Sequence, residues 1–153
     1  ISLNGGNNYL EEINEILENK NIDIEINEQL SDKQLKKLKR ELQGILKTKD
    51  ECGCEQYALK VDIPGVFFSF KENREIYLYR NEIYKIGITC RKQEGRYPNG
   101  LEDLRLRYKI EAKGSRIQML MIEKIKLYNY RFLPENIKRK QPLILPPGNK
   151  IYR

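Results

Sequence analysis

Apolar positions recur at helical spacing in three places along the chain. Tyr9, Leu10, Ile13, Ile16 and Leu17 alternate with Glu11, Glu12, Glu15 and Glu18, which predicts a short acidic amphipathic helix. Ser31 and Gln34 form a capping-box pair that opens a second helix, with its stripe on Leu35, Leu38, Leu42, Ile45 and Leu46. Ser115 and Gln118 repeat the device ahead of Ile117, Leu120, Met121, Ile125 and Tyr128. Period-two alternation marks the strands. NIDIEIN (21–27) reads as a short edge strand, GVFFSF (65–70) as a second and YKIEAK (108–113) as a third or fourth. Between them IYLYR and IYKIGIT flank Asn81-Glu82, which reads as a β-hairpin with a tight turn. Pro98-Asn99-Gly100 is a turn leading to a short helix over 101–106, and Pro134, Pro142, Pro146 and Pro147 rule out long regular structure near the end.

This pattern predicts an α+β chain: a small antiparallel sheet of three to four strands flanked by helices, behind a helical N-terminal extension. The composition shifts along it. Residues 1–64 carry 9 Lys and Arg against 13 Asp and Glu, whereas 65–153 carry 20 against 9, a net of +11. Gly44 and the stretch 50–55 break the helical pattern, and Pro64-Gly65 is a turn, so the boundary is placed between about 48 and 64. The division is an acidic, mainly helical extension over 1–60 and a basic module over 61–153. A basic module suits a polyanion, most simply nucleic acid. Lys33, Lys36, Lys37, Lys39 and Arg40 surround the second helix and read first as a solvated face.

The 153 residues include no His, which excludes Ser-His and Cys-His nucleophile pairs, HExxH proteases and His-ligated zinc. Cys52, Cys54 and Cys90 have poor zinc spacing and are expected as free thiols in a reducing compartment. No apolar run is long enough to span a bilayer. The first residue is Ile rather than Met, which suggests an excised or processed C-terminal module, although an arbitrary cut would look the same.

The candidate chemistry centres on 75–97, EIYLYRNEIYKIGITCRKQEGRY, where tyrosines, a lysine and arginines gather around the predicted hairpin. With Glu123 on the later helix and Asn149 after Pro147-Gly148, this order resembles the GIY-YIG endonuclease superfamily, in a variant reading KIG in the second motif. The likeness covers roughly 65–153. It implies a small three-stranded antiparallel sheet with helices around it, and hydrolysis of a phosphodiester with Mg2+ or Mn2+. By that resemblance Tyr77 is the first-motif tyrosine, with Tyr79 on the same face as the alternative. Lys85-Ile86-Gly87 is the second motif with Tyr84 beside it, Arg96 is the arginine that opens the first helix, and Arg91 is its rival. Glu123 is the metal ligand and Asn149 the late asparagine. The gap from Tyr77 to Lys85 is shorter than the family's usual loop, and Gly65-Val66-Phe67 is a weaker rival because Phe67 has no hydroxyl.

The residue types suit those roles on their own chemistry. A phenol whose pKa is lowered by Lys85 can take a proton from water, and a three-residue turn would set Tyr77 across from Lys85. The planar fork of Arg96 suits phosphate oxygens, and one carboxylate with phosphate and water oxygens makes an ordinary magnesium shell. Arg91, Lys92, Arg116 and Lys150 are the expected nucleic-acid contacts. DNA is expected over RNA because of the family. The setting suggested is the toxin module of a secreted bacterial toxin acting in a target cytoplasm, with an acidic immunity protein as partner. A restriction-type endonuclease and a non-catalytic nucleic-acid-binding module are the alternatives.

Overall fold

A computed structural model describes residues 8–150. Two helices come first, α1 (Tyr9–Asn19) and α2 (Asp32–Leu46), followed by β1 (Cys54–Val61) and β2 (Gly65–Ser69). Then come β3 (Arg74–Leu78), β4 (Ile83–Thr89), the short α3 (Lys92–Arg96) and β5 (Leu106–Gly114). The long α4 (Arg116–Asn129) and a single turn, α5 (Pro134–Ile137), complete the order. The chain is α+β, with a three-stranded antiparallel sheet ordered β4-β1-β5 and a separate two-stranded sheet of β2 and β3. No helix among the described residues is long and apolar enough to cross a membrane.

Both capping boxes form as the local chemistry dictates. The Ser31 and Ser115 hydroxyls accept from the Gln34 and Gln118 amides, while the glutamine side chains accept from the serine N–H groups. Helix α4 is buried on most of its circumference because it lies between two partners. Ile117, Met121, Ile125 and Tyr128 pack on Ile13, Leu17, Leu38 and Leu42 of α1 and α2, and Leu127 meets Ile86 of β4 and Leu145. Each such side chain fully withdrawn from water contributes about 1.5–3 kcal/mol. The acidic extension therefore shares its core with α4, and a division at residue 60 runs through β1, the middle strand of the sheet.

Several expectations from the sequence are corrected. The runs around Asn81-Glu82 are both strands, but they do not pair with each other. β3 pairs with β2, setting Tyr77 opposite Val66, and β4 pairs with β1, setting Gly87 opposite Tyr57. The reason lies in the burial of β1, which is inaccessible along nearly its whole length and so belongs in the middle of a sheet. NIDIEIN forms no ladder. It runs extended over the helical core, where Ile22, Ile24 and Ile26 pack, and the Asn27 amide donates to the Asn129 side chain. The helix expected over 101–106 shortens to a 3₁₀ turn, Glu102–Leu104, ended by Arg105 in the left-handed region (φ 63°). The cysteines are not all free. Cys54 and Cys90, flanking the Glu55–Thr89 pair of β1 and β4, form a disulfide, and Cys52 alone stays a thiol.

The C-terminal segment is held by an ionic network. Glu82 and Arg139, both about nine-tenths buried, pair at 3.1 Å. Glu82 also accepts from the Tyr79 amide, and Arg139 donates to the Tyr130 hydroxyl at 3.0 Å. Burial pushes the Tyr130 phenol up from 10.0 to about 12, although Arg139 opposes the shift. A phenol that binds its proton more tightly when folded withdraws its stabilisation as pH rises from the unfolded value to the folded one. Urea unfolding at pH 8 to 12 should therefore show stability falling from about pH 10, by on the order of 2–3 kcal/mol through Tyr130 alone. Tyr130→Phe should make that fall shallower; equal slopes in the two proteins would refute the assignment.

Candidate active site

A cavity of about 390 Å³ opens where β1, β4, α3, α4 and the last described loop meet, lined by Tyr57, Lys85, Gly87, Arg96, Glu123 and Asn149 among others. Each side chain arrives for a local reason. Tyr57 and Gly87 are register partners on adjacent strands, and Lys85 lies two residues before Gly87, hence on the same face of β4. The Tyr57 phenol lies against Gly87, where a Cβ would sit 2.6 Å from its oxygen, so any larger residue there displaces the ring. The ring stacks on Tyr108 at 4.6 Å, and its hydroxyl shares a 2.8 Å hydrogen bond with the Tyr97 hydroxyl. Arg96 ends α3 rather than opening a helix as expected, because Tyr97 and the Pro98-Asn99-Gly100 turn follow it; its guanidinium is 4.8 Å from the Tyr97 ring centre. Glu123 reaches the cavity from α4 beside Leu120, one turn earlier, and is the one carboxylate among the described residues lining it.

Electrostatics tie these groups together. Burial, then the Tyr97 hydrogen bond, drives the Tyr57 phenol well above its ordinary value; the charge of Arg96 pulls it down and that of Glu123 pushes it up. Tyr57 is therefore a protonated phenol at neutral pH.

Of the residues singled out in the sequence, the structure brings Lys85, Arg96, Glu123, Asn149 and Lys150 to one cavity. Tyr77 is not among them. It sits on the outer face of β3, half exposed and edge-on to Tyr79 at 5.0 Å, and neither ring lines the cavity. Tyr57 is the one tyrosine among the described residues that lines it. Tyr84 packs on Phe67 at 5.5 Å beneath Gly148, beside the cavity, and burial raises its pKa. Phe67 of the Gly-Val-Phe rival is buried. Asn149 acts as a clamp: its Oδ1 accepts from the Ile86 amide and its Nδ2 donates to the Ile86 carbonyl, both at 2.9 Å. That geometry fixes the C-terminal loop to β4. Arg91 is exposed at the start of α3. Lys92 lines a different depression, beside Cys52–Glu55, and Arg116 donates to the Thr48 hydroxyl and the Lys49 carbonyl.

Two places among the described residues bear on whether a hard divalent ion could be held. Glu51, Cys54 and Cys90 cluster closely, but the two sulfurs are bonded to each other and offer no thiolate. In the cavity, Glu123 places one carboxylate beside Lys85 and Arg96, and a carboxylate is a donor a hard divalent ion could use.

Tyr57 is inconspicuous in the sequence because CEQYALKV falls inside the 48–64 boundary stretch. The available signal was its period-two pattern, with Tyr57, Leu59 and Val61 sharing one face and one buried cluster. Comparison with family models, with curated proteins and with solved structures finds no match to this chain.

Proposed function

We propose that this protein is a divalent-metal-dependent endonuclease of GIY-YIG type, with DNA as its preferred substrate. The observation that carries the reading is the convergence of Tyr57, Lys85, Arg96 and Glu123, far apart in sequence, on one cavity of about 390 Å³. Glu123 would hold Mg2+ or Mn2+, which supplies a Lewis acid for the charge developing on the phosphate. The planar guanidinium of Arg96 takes phosphate oxygens, and Lys85 adds a second cation on the same side. Tyr57, protonated and backed by Tyr97, orients the attacking water by hydrogen bonding; it becomes a base only where added positive charge lowers its pKa. The net charge of +11 over 65–153 supplies attraction for the polyanion.

The disulfide favours a particular setting. Such bonds persist in oxidising environments and are reduced in a cytoplasm, so the bridge suits the extracellular passage of a secreted toxin module, before it reaches a target cytoplasm and with an acidic immunity protein as partner. The nuclease reading is tested by incubating supercoiled plasmid and bulk RNA with the protein in Mg2+, in Mn2+ and in EDTA. Plasmid nicking is expected with either metal and none in EDTA. Absence of cleavage of both substrates under every metal would leave a non-catalytic nucleic-acid-binding module.

A further inference from the structure

The β2–β3 hairpin lies between β1 and β4 in the chain, outside the three-stranded sheet, and turns an apolar face outward. Phe68 and Phe70 are 41% and 44% exposed, edge-on to each other at 5.3 Å. They line a depression of about 460 Å³ that shares Lys85, Gly148 and Lys150 with the catalytic cavity. Cations sit against its rings: the Arg105 guanidinium is 4.2 Å from the Phe67 ring centre and the Lys150 amine 5.1 Å from that of Phe70. Arg105 is fixed there by donating to the Val66 carbonyl at 2.8 Å. Among the described residues lining the depression, Asp103 is the one acid, against Lys85, Arg105 and Lys150.

We infer that this face is a stacking platform for an unpaired nucleobase adjoining the phosphate held in the catalytic cavity. The inference rests on the nuclease reading for where that phosphate lies. Exposed aromatic rings interleaved with cations on a basic surface match single-stranded nucleic acid, since every base has a π face and every linkage a charge. A base inside a duplex is already stacked and cannot reach the rings. The platform therefore selects single strands, frayed ends or flipped nucleotides. Continuity through Lys85 and Lys150 places a bound base next to the cavity that takes its phosphate.

The test measures binding in EDTA, where cleavage plays no part. Fluorescence anisotropy is recorded with a twelve-nucleotide single strand, as DNA and as RNA, and with the matching DNA duplex. A 2-aminopurine in the single strand reports stacking through its emission. Phe68→Leu/Phe70→Leu keeps the apolar volume, so the fold is preserved, and removes the π faces. Single-strand affinity should fall about tenfold or more, with loss of the 2-aminopurine response, while duplex affinity changes less than about twofold. Phe68→Trp should retain both single-strand signals. Equal weakening of strand and duplex, no weakening of either, or no single-strand binding by the parent would overturn the platform. So would a dimer in gel filtration that the double substitution dissolves without affecting DNA binding, because a second copy would then own the face. Failure of the nuclease reading shows separately, as absence of metal-dependent cleavage in the digest.

Discussion

Glu123→Gln is expected to slow plasmid cleavage by about 10²–10⁴-fold while leaving the protein folded. The magnitude follows from the several kcal/mol of charge stabilisation a divalent ion contributes at a phosphate, each 1.4 kcal/mol being about tenfold in rate. Glutamine keeps the shape of the side chain but replaces a charged hard donor with a weak neutral one. The neighbouring Lys124 lies 3.8 Å from Glu41 of α2 and Lys126 pairs with Glu111 at 2.9 Å, so these two ion pairs of α4 do not run through the substituted side chain. Cleavage rates at saturating Mg2+ check the prediction, with thermal unfolding as the control for folding. Parent-like cutting would remove Glu123 from the metal site.

The second large effect separates two tyrosines. Tyr57→Phe should reduce cleavage by about 10²-fold or more, because it removes the hydroxyl we propose orients the attacking water. Tyr77→Phe should change the rate by less than about twofold, since its ring is half exposed on another sheet. The cost of Tyr57→Phe to stability is small by comparison. It deletes one hydrogen bond to Tyr97, worth about 1 kcal/mol, and leaves the stack on Tyr108 in place. Rates for both variants, measured side by side on one plasmid, decide the assignment. A reversed order would return the role to Tyr77 and break the account of the cavity.

What the sequence made legible was local. Ser31-Gln34 and Ser115-Gln118 predicted helix starts because a capping box is complete within four residues. Glu123 was legible as the one acid between Lys113 and Pro134, in a segment otherwise basic and apolar. What the sequence hid was pairing. β3 and β4 are neighbours in the chain and alternate correctly, so they read as a hairpin, yet alternation reports which face is buried and not which strand lies alongside. The same limit explains 21–27, whose isoleucines are buried on one side of an extended segment that has no ladder partner. Tyr57 and the Cys54–Cys90 bridge both depend on β1 lying beside β4, a contact the intervening β2–β3 hairpin separates in sequence. Asn149 was legible as a residue but not as a clamp, because its partner is the backbone of Ile86.

The central claim is that Tyr57 and Glu123 serve one hydrolytic centre. A double-mutant cycle on metal-dependent plasmid cleavage tests it most directly, using Tyr57→Phe, Glu123→Gln and the two combined. Groups acting as a unit are non-additive, so the combined variant should cut about as slowly as the slower single one. Multiplying effects, or a Glu123→Gln protein that cuts like its parent, would contradict it.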